Sequence, residues 1–259
     1  MNSKGKTIAA VLQARMSSSR LPGKVLSPIN GIPMIGLQIR RIRRAVLIDH
    51  LVVVTSEDSS DDSLVSYLES IGVEVFRGAM SDVYSRFVGA LEKRQVDAFL
   101  RLTADCPLVM PELIDKMIEK FLLLEVDYLS NTLPPTFPDG LDIEIVSMEA
   151  FRQLASLDLT DFEREHVTPC ITERPEKFVL ANFENDYDLS AERWTVDYPE
   201  DLEFVSRVFG GFRGNEASFD MIDVLKFLEI NPDFRNQIPG TMHNVSTKDA
   251  VERPSKDDK

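Results

Sequence analysis

Short apolar runs alternate with segments of helical periodicity through the first half of the chain. The apolar runs occupy residues 6–13, 50–56, 73–78 and 98–104, and runs of this length are typical of strands buried on both faces of a parallel sheet. The segments between them, at 32–46, 58–70 and 81–94, have the pattern of helices, and Pro111 is suited to the first position of another. This order predicts an α/β fold, a Rossmann-like doubly wound sheet that is mostly parallel and joined by right-handed crossovers.

The pattern changes after residue 127. A Pro-rich loop at 134–138 precedes an alternating segment at 141–146, and further strands are predicted near 177–183 and at 193–196. These segments predict a small mixed-sheet extension that covers the site or forms a dimer contact. Helices are predicted at 199–209 and 219–230. The tail 245–259 is polar, with four acids and four bases, and is expected to be disordered.

Charge is unevenly distributed along the chain. The net charge is −14, yet residues 1–44 contain nine basic residues and no acidic one, while the rest contains 43 acidic and 20 basic residues. The overall negative charge argues against a binder of nucleic acid or of anionic membranes, and no apolar run reaches the ~18 residues of a membrane-spanning helix. Cys106 and Cys170 lack the spacing of a disulfide framework or a metal site. We therefore expect a cytoplasmic protein with a small anion site in its first 44 residues.

The polar loop at 13–24 directly follows the first predicted strand. It contains Arg15, Arg20 and Lys24 together with three consecutive serines and a glycine. A triphosphate needs such backbone N–H groups, hydroxyls and cations around its oxygens. The loop is not a Walker A motif, because Ser18 and Val25 stand where that motif needs glycine and Ser/Thr. The alternative interpretation is a solvated basic loop.

Two aspartates follow predicted strands and face the same edge of the sheet. Asp105 comes after the fourth strand, and Asp197 comes after the short strand at 193–196. Two carboxylates close to a triphosphate are typical ligands of Mg²⁺, whose other ligands are phosphate oxygens and water. The alternatives are a turn aspartate at 105 and a helix N-cap at 197.

Several short motifs follow one another along the chain. They are 13–24 (QARMSSSRLPGK), 76–78 (FRG), 82–83 with 86–87 (DV and RF), 101–108 (RLTADCPL), 127–131 (DYLSN), 137–142 (FPDGLD), 165–169 (EHVTP) and 193–202 (RWTVDYPEDL). In this order they resemble the motifs of the SpsF-like cytidylyltransferases, which are related to the Kdo and acylneuraminate cytidylyltransferases. The resemblance covers about residues 6–240.

The resemblance implies a nucleotidyltransferase that moves CMP from CTP to the anomeric hydroxyl of a sugar acid and releases pyrophosphate. It implies a homodimer and a Mg²⁺ cofactor held by Asp105 and Asp197, with Arg15, Arg20 and Lys24 on the β- and γ-phosphates. The sugar acid would be nonulosonic or Kdo-like and destined for a surface polysaccharide or glycan. One domain at 6–240 is then expected, comprising a nucleotide-binding half (6–126), a sugar-binding and dimerisation extension (127–195) and closing helices (196–240).

Further site residues are expected on the loops that follow the strands. Nucleotide contacts are expected from Gln13, Ala14, Thr55, Ser56, Arg77, Gly78, Asp82 and Thr103, and sugar contacts from Asn131, Asp139, Asp142, Glu144, Glu165 and His166. Arg77 is equally consistent with a surface residue, Asp82 with a helix cap and His166 with a structural histidine. The arginines at 40–44 are expected on a solvated helix face and are given no function.

Two positions depart from the family pattern. Ser17 replaces a usual glycine, and its Cβ restricts the approach of backbone to phosphate. Met110 stands where members usually have aspartate, so no metal ligand is expected there. Two alternatives stay open, the second of them because of these departures. One is a glycosyltransferase that uses a nucleotide sugar, although the Asp-x-Asp motif typical of such enzymes is absent at Asp105, and the other is a non-catalytic nucleotide or sugar binder on the same fold.

Overall fold

Seven strands form one sheet in the computed structural model, which describes residues 5–92 and 94–235. The strands of this sheet are β1 (Ile8–Gln13), β4 (His50–Ser56), β5 (Glu74–Gly78), β6 (Ala98–Thr103), β7 (Tyr128–Ser130), β8 (Glu144–Ser147) and β9 (Leu180–Asn182), while β2 (Pro28–Ile29) and β3 (Ile32–Pro33) form a separate hairpin. The order across the sheet is β5-β4-β1-β6-β8-β7-β9. Only β8 pairs in the antiparallel sense, so the predicted mostly parallel α/β sheet is confirmed.

Helices connect and cover these strands. They are α1 (Met34–Ile42), α2 (Asp62–Ser70), α3 (Val83–Glu92), α4 (Pro111–Leu124), α5 (Met148–Gln153), α6 (Asp161–His166), α7 (Pro169–Thr172), α8 (Pro199–Gly211), α9 (Met221–Ile230) and α10 (Pro232–Arg235). Short turns of 3₁₀ helix occupy Lys24–Leu26, Ser59–Asp61 and Leu154–Ser156. The predicted disordered tail at 245–259 lies outside the described residues.

The central strand β1 shows why the sheet forms. Its residues alternate between two apolar cores, with Ile8, Ala10 and Leu12 in one and Ala9 and Val11 in the other. All five are fully buried, because parallel strands covered by helices on both faces need apolar side chains at every position. Because β1 pairs in parallel with both β4 and β6, the loops that follow these three strands emerge at one edge of the sheet. Doubly wound folds bind ligands at this edge.

The extension beyond residue 127 differs in detail from the prediction. The segment predicted as a strand from 141 is paired only from Glu144 onward. The predicted strand at 193–196 is reduced to one bridge, in which Arg193 pairs with Asp139. Gly140 explains this close pairing, since a Cβ there would lie 2.5 Å from the backbone nitrogen of Thr195. Residues 193–197 thus form an irregular segment against the 139–140 turn.

The arginine cluster at 40–44 is not uniformly solvated, so the expectation of a solvated face is wrong for Arg41. The Arg41 side chain is fully buried and donates to the carbonyl oxygens of Val109, Glu216 and Phe219 at 2.7, 3.0 and 2.8 Å. Its guanidinium lies over the Phe219 ring, 4.0 Å from the centroid. Arg41 therefore ties α1 to the loop that follows β6 and to the turn before α9.

No helix in the described ranges 5–92 and 94–235 is long and apolar enough to cross a bilayer.

Candidate active site

A cavity of about 200 Å³ lies at the edge of the sheet where β1 and β6 end. It is formed by the end of β1, the loop that follows it, the end of β6, α3 and the segment before α8. Its lining residues are Gln13, Ala14, Arg15, Ser18, Ser19, Arg20, Lys24, Val25, Arg86, Thr103, Ala104, Asp105 and Asp197. The structure therefore brings together Arg15, Lys24, Asp105 and Asp197, which are expected to carry the catalysis, and most of the predicted nucleotide contacts.

The loop at 14–23 is held by its own backbone and by one buried carboxylate. The Met16 carbonyl accepts hydrogen bonds from the N–H groups of Ser18 and Gly23, both at 2.9 Å. The Met16 N–H donates to Asp61 at 2.7 Å. Gly23 turns the chain with a φ of 74°, a conformation that side chains oppose. The loop is thereby folded back so that its cations surround the cavity.

Asp61 is a site-shaping residue that the sequence did not indicate. Besides Met16, its carboxylate accepts from the Thr55 hydroxyl at 2.8 Å and from the N–H and hydroxyl of Ser56. Burial raises the pKa of Asp61, but these hydrogen bonds outweigh it and hold the pKa below 3.8. Asp58 and Asp62 stand close by in the sequence, so nothing in the pattern distinguished Asp61 from its solvated neighbours.

We expect Asp61→Asn to lower the free energy of unfolding by about 2–3 kcal/mol at neutral pH, because hydrogen bonds to a buried carboxylate are stronger than those to an amide. A depressed folded pKa contributes stability above the unfolded value, and that stability is lost as the pH falls through the folded value. The difference in unfolding free energy between wild type and Asp61→Asn should therefore become smaller as the pH falls below 3.8, the ordinary pKa of an aspartate. Urea unfolding at neutral pH and at about pH 3 measures both effects.

Asp62→Asn is the matched control for this prediction. Asp62 pairs with Arg77 at the surface, and an exposed pair of this kind contributes about 1 kcal/mol or less. Two results would contradict the role given to Asp61. One is an equal loss of unfolding free energy in the two variants, and the other is a loss for Asp61→Asn that stays the same from neutral to acid pH.

Lys24 lies between the two predicted metal ligands. Its ammonium is 3.5 Å from Asp105 and 3.1 Å from Asp197, and it donates to the Val196 carbonyl oxygen at 2.6 Å. The lysine is largely buried, with 8% of its surface exposed. The carboxylates that follow β6 and precede α8 are therefore brought to one point, although 92 residues separate them in the sequence.

Asp197 carries a dense set of cationic contacts. Arg20 lies 2.8 Å from one carboxylate oxygen, and Arg193 lies 3.2 Å from the other. Burial by itself raises the pKa of Asp197, but hydrogen bonds and charge from Lys24, Arg193 and Arg20 lower it overall. The group is thus ionised at neutral pH, as a metal ligand must be.

The alternative of a helix N-cap at Asp197 is not what the structure shows. Tyr198 precedes the first residue of α8, and Asp201 supplies the capping carboxylate. Asp201 accepts from the backbone N–H groups of Asp197 and Tyr198 at 2.8 and 2.9 Å and pairs with Arg193 at 3.0 Å. Asp201 therefore orients the segment and leaves the Asp197 side chain to face the cavity.

Asp105 and Asp197 are suited to a single Mg²⁺. No group of three or more potential metal ligands occurs among residues 5–92 and 94–235. The protein ligands of an ion at the cavity would therefore be the two carboxylates in its wall. Mg²⁺ commonly takes one or two protein carboxylates and completes its octahedron with water and phosphate oxygens. The ammonium of Lys24 shows that a cation is already accommodated between the two oxygens.

Arg86 is a second site residue that the sequence analysis did not assign. It lies on α3, lines the cavity and is only 1% exposed. The signal was present, because the Arg-Phe pair at 86–87 belongs to the family motif, but a helical arginine alone does not reveal whether it faces solvent.

Five predicted nucleotide contacts do not line the cavity. Thr55 and Ser56 bind Asp61, as described above. Arg77 donates to the carbonyl oxygens of Ser56 and Asp58, both at 2.9 Å. Asp82 caps α3 through the Ser85 N–H and pairs with Arg164 at 2.9 Å, which matches the alternative of a helix cap. Direct contact of these residues with a nucleotide stays a prediction.

Gly78 is the fifth of these residues, and it serves packing. A Cβ at this position would lie 2.9 Å from Cγ of Arg86. The absence of a side chain at 78 therefore leaves the path by which Arg86 reaches the cavity.

The predicted sugar residues form two separate groups. In the first, Asn131 is buried and bonds the backbone at Leu141 and Ile143, Asp139 pairs with Arg193, and Glu144 pairs with Arg101 and accepts from Tyr128. In the second, Glu165 and His166 are exposed on α6 and lie outside the cavity lining. None of the six lines the cavity, so a sugar contact stays a prediction for all of them.

Asp142 belongs to the first group and has an unusual acidity. Loss of solvation, followed by the negative charges of Asp139 and Glu144, raises the pKa of Asp142 to about 6. The pKa of Asp139 is also raised, again mainly by loss of solvation. Asp142 is nevertheless exposed to solvent and does not line the cavity, so this pKa assigns it no part in the chemistry.

The two departures from the family pattern lie outside the cavity. Ser17 is exposed and is not a lining residue, whereas its neighbours Ser18 and Ser19 are. Met110 is buried, and its sulfur lies 2.9 Å from Nη2 of Arg41. The chemistry of the cavity is therefore unaltered by either residue in this structure.

The sequence of this chain is similar to a known protein family and to proteins of known name. A family model described as cytidylyltransferase matches residues 9–222. The spore coat polysaccharide biosynthesis protein SpsF of Bacillus subtilis is 31% identical over 233 residues, 87% of this chain and 95% of that protein. The 3-deoxy-manno-octulosonate cytidylyltransferase of Chlorobium limicola is 28% identical over 243 residues, 76% of this chain and 95% of that protein.

A solved structure agrees with these sequence relatives. The cytidylyltransferase from Leptospira borgpetersenii serovar Hardjo-bovis is 31% identical, with a TM-score of 0.84 over 93% of this chain and 99% of that one. The segment matched by the family model contains every residue that lines the cavity.

Proposed function

Since this chain belongs to the cytidylyltransferase family, we propose that it transfers CMP from CTP to the anomeric hydroxyl of a sugar acid and releases pyrophosphate. The observation that carries the proposal is the cavity, where Arg15, Arg20, Lys24 and Arg86 converge with the carboxylates of Asp105 and Asp197. Such an arrangement suits a polyphosphate, which needs several cations and a metal site.

The reaction needs positioning and charge neutralisation more than covalent catalysis. The acceptor oxygen attacks the α-phosphorus, the bond from that phosphorus to the bridging oxygen breaks, and the electron pair leaves with pyrophosphate. The hydroxyl proton is released to solvent. Arg15, Arg20 and Lys24 hold the departing phosphates and stabilise their growing charge.

Asp105 and Asp197 would hold Mg²⁺ in this scheme. The chemistry that the ion supplies when bound is neutralisation and polarisation of the α-phosphate. The Lys24 ammonium contacts both of these carboxylates in the structure. With the carboxylates bound to the metal, Lys24 would bind phosphate oxygens instead.

The acceptor is proposed to be a nonulosonic or Kdo-like acid, with the product used for a surface polysaccharide or glycan. The polar residues at 139–144 lie next to the segment that ends at Asp197, where they could bind the hydroxyls of a polyol. The family resemblance further supports a homodimer, and the composition of the sequence supports a location in the cytoplasm.

The test is a pyrophosphate-release assay with each of the four nucleoside triphosphates, Mg²⁺ and a panel of sugar acids, with the corresponding neutral sugars as controls. We expect release with CTP and one class of sugar acid, and mass spectrometry should identify the CMP–sugar product. Release that requires a sugar phosphate, or release of nucleoside diphosphate from a nucleotide sugar, would overturn the proposal in favour of a different transferase. CTP binding without any release would favour a non-catalytic binder.

A further inference from the structure

Arg86 is buried without a hydrogen-bonding partner for two of its nitrogens. The residue is 1% exposed, and its Nε and Nη1 atoms have no partner in the described part of the chain. Leaving the N–H groups of a buried guanidinium unsatisfied is costly. Such a group calls for an explanation, and because Arg86 lines the cavity a bound ligand can complete its hydrogen bonds.

The charges around Arg86 indicate the kind of ligand. Its strongest electrostatic neighbours are Arg15, which repels it, and Asp61 and Asp82, which attract it. Both carboxylates are already hydrogen-bonded to other groups, Asp61 to Met16 and Asp82 to Arg164 among them. A neutral base or ribose would leave the repulsion between the two guanidinium groups in place, whereas an anion would relieve it.

The other cations of the cavity are compensated by carboxylates. Arg20 pairs with Asp197, and Lys24 pairs with both Asp105 and Asp197. Arg15 and Arg86, by contrast, form no ion pair with any residue of 5–92 and 94–235, so they leave positive charge available on the side of the loop rather than on the side of the two aspartates.

We propose that Arg86 is a further phosphate-binding residue, whose buried guanidinium binds the β- or γ-phosphate of CTP together with Arg15. The proposal rests on the proposed function, which makes a nucleoside triphosphate the ligand. It places the phosphates that leave as pyrophosphate toward α3 and the loop at 14–23, and the α-phosphate toward Asp105 and Asp197. Gly78 then acts as a positioning residue, since a side chain there would collide with the stem of Arg86.

Calorimetric titration tests this assignment without any acceptor sugar. Wild type, Arg86→Met and Arg86→Lys are titrated with CTP, CMP and inorganic pyrophosphate. We expect Arg86→Met to weaken CTP and pyrophosphate binding by roughly 10- to 100-fold, because hydrogen bonds from a charged donor are lost, and to change CMP binding by less than about threefold. Arg86→Lys keeps the charge and should recover part of the loss.

Thermal unfolding separates ligand binding from a structural role. Because Arg86 is a buried charge with unmade hydrogen bonds, Arg86→Met should raise the Tm of the ligand-free protein while reducing the further rise that pyrophosphate produces. A lower Tm for the ligand-free variant, together with unchanged pyrophosphate affinity, would show that the arginine is structural. Gly78→Ala, which retains the arginine, should weaken pyrophosphate binding in the same direction by displacing it.

The outcomes distinguish this inference from the proposed function. Equal CTP affinity in wild type and Arg86→Met would overturn the role of Arg86 alone, and an equal loss for CMP and CTP would move its contact to the α-phosphate and also overturn it. Failure of the wild-type protein to bind CTP would overturn both proposals. Normal binding effects with no pyrophosphate release for any acceptor would overturn only the proposed reaction.

Discussion

Asp105→Asn is expected to lower the rate of pyrophosphate release on the order of 10³-fold at saturating CTP and acceptor. The substitution removes the charge of one of two carboxylates proposed for Mg²⁺ while keeping the size of the side chain. Steady-state rates over a Mg²⁺ titration measure the effect, and the Mg²⁺ concentration for half-maximal rate should rise as well. A metal ligand predicts both changes, whereas a turn aspartate predicts neither.

The fold should survive this substitution. The backbone oxygen of Asp105, rather than its side chain, accepts the Val196 N–H at 2.8 Å, and that bond is unaffected. Glu74→Gln is the control, because Glu74 is an exposed residue that pairs with Arg94 at the start of β5, away from the strand ends that form the cavity. Full activity in Asp105→Asn with an unchanged Mg²⁺ requirement would remove this residue from the metal site.

The fold was largely predictable, because its central strands are specified by local pattern. The run at 50–56 coincides with β4, and Pro111 begins α4 as its missing N–H group allows. Both signals depend on a few neighbouring residues. The strand predicted at 193–196 does not form, because its backbone hydrogen bonds go to two separate places. The Trp194 N–H donates to Asp139 and the Val196 N–H to Asp105, instead of to successive residues of one neighbouring strand.

The site was predictable where a motif concentrates its charges and not where burial decides the role. Arg15, Arg20 and Lys24 stand within ten residues of one another, and all three line the cavity. Asp61 stands in a turn with Asp58 and Asp62 close by, and Arg86 is a single arginine on a helix. Whether such a charge faces solvent or a buried partner depends on tertiary packing, which a single sequence does not reveal.

Arg41 is another charged residue whose burial the sequence does not reveal. We expect Arg41→Met to lower the free energy of unfolding by about 4 kcal/mol. Methionine retains the apolar stem but leaves the carbonyl oxygens of Val109, Glu216 and Phe219 without a donor, at a cost of about 1 kcal/mol each. The cation–π contact with Phe219 accounts for about 1 kcal/mol more. Thermal and urea unfolding should show the loss, with a fall in Tm of roughly 10 °C.

Arg40→Met is the matched control, because Arg40 is the exposed neighbour on the same helix and its replacement should change stability by about 0.5 kcal/mol or less. Equal effects of the two substitutions would return the whole cluster to the solvated helix face that the sequence suggests. If Arg41 acts as described, its variant should also weaken CTP binding, since it holds the Val109 segment that follows Asp105. That loss should persist at low temperature, where the variant is folded, because it comes from the displaced Val109 segment and not from unfolding.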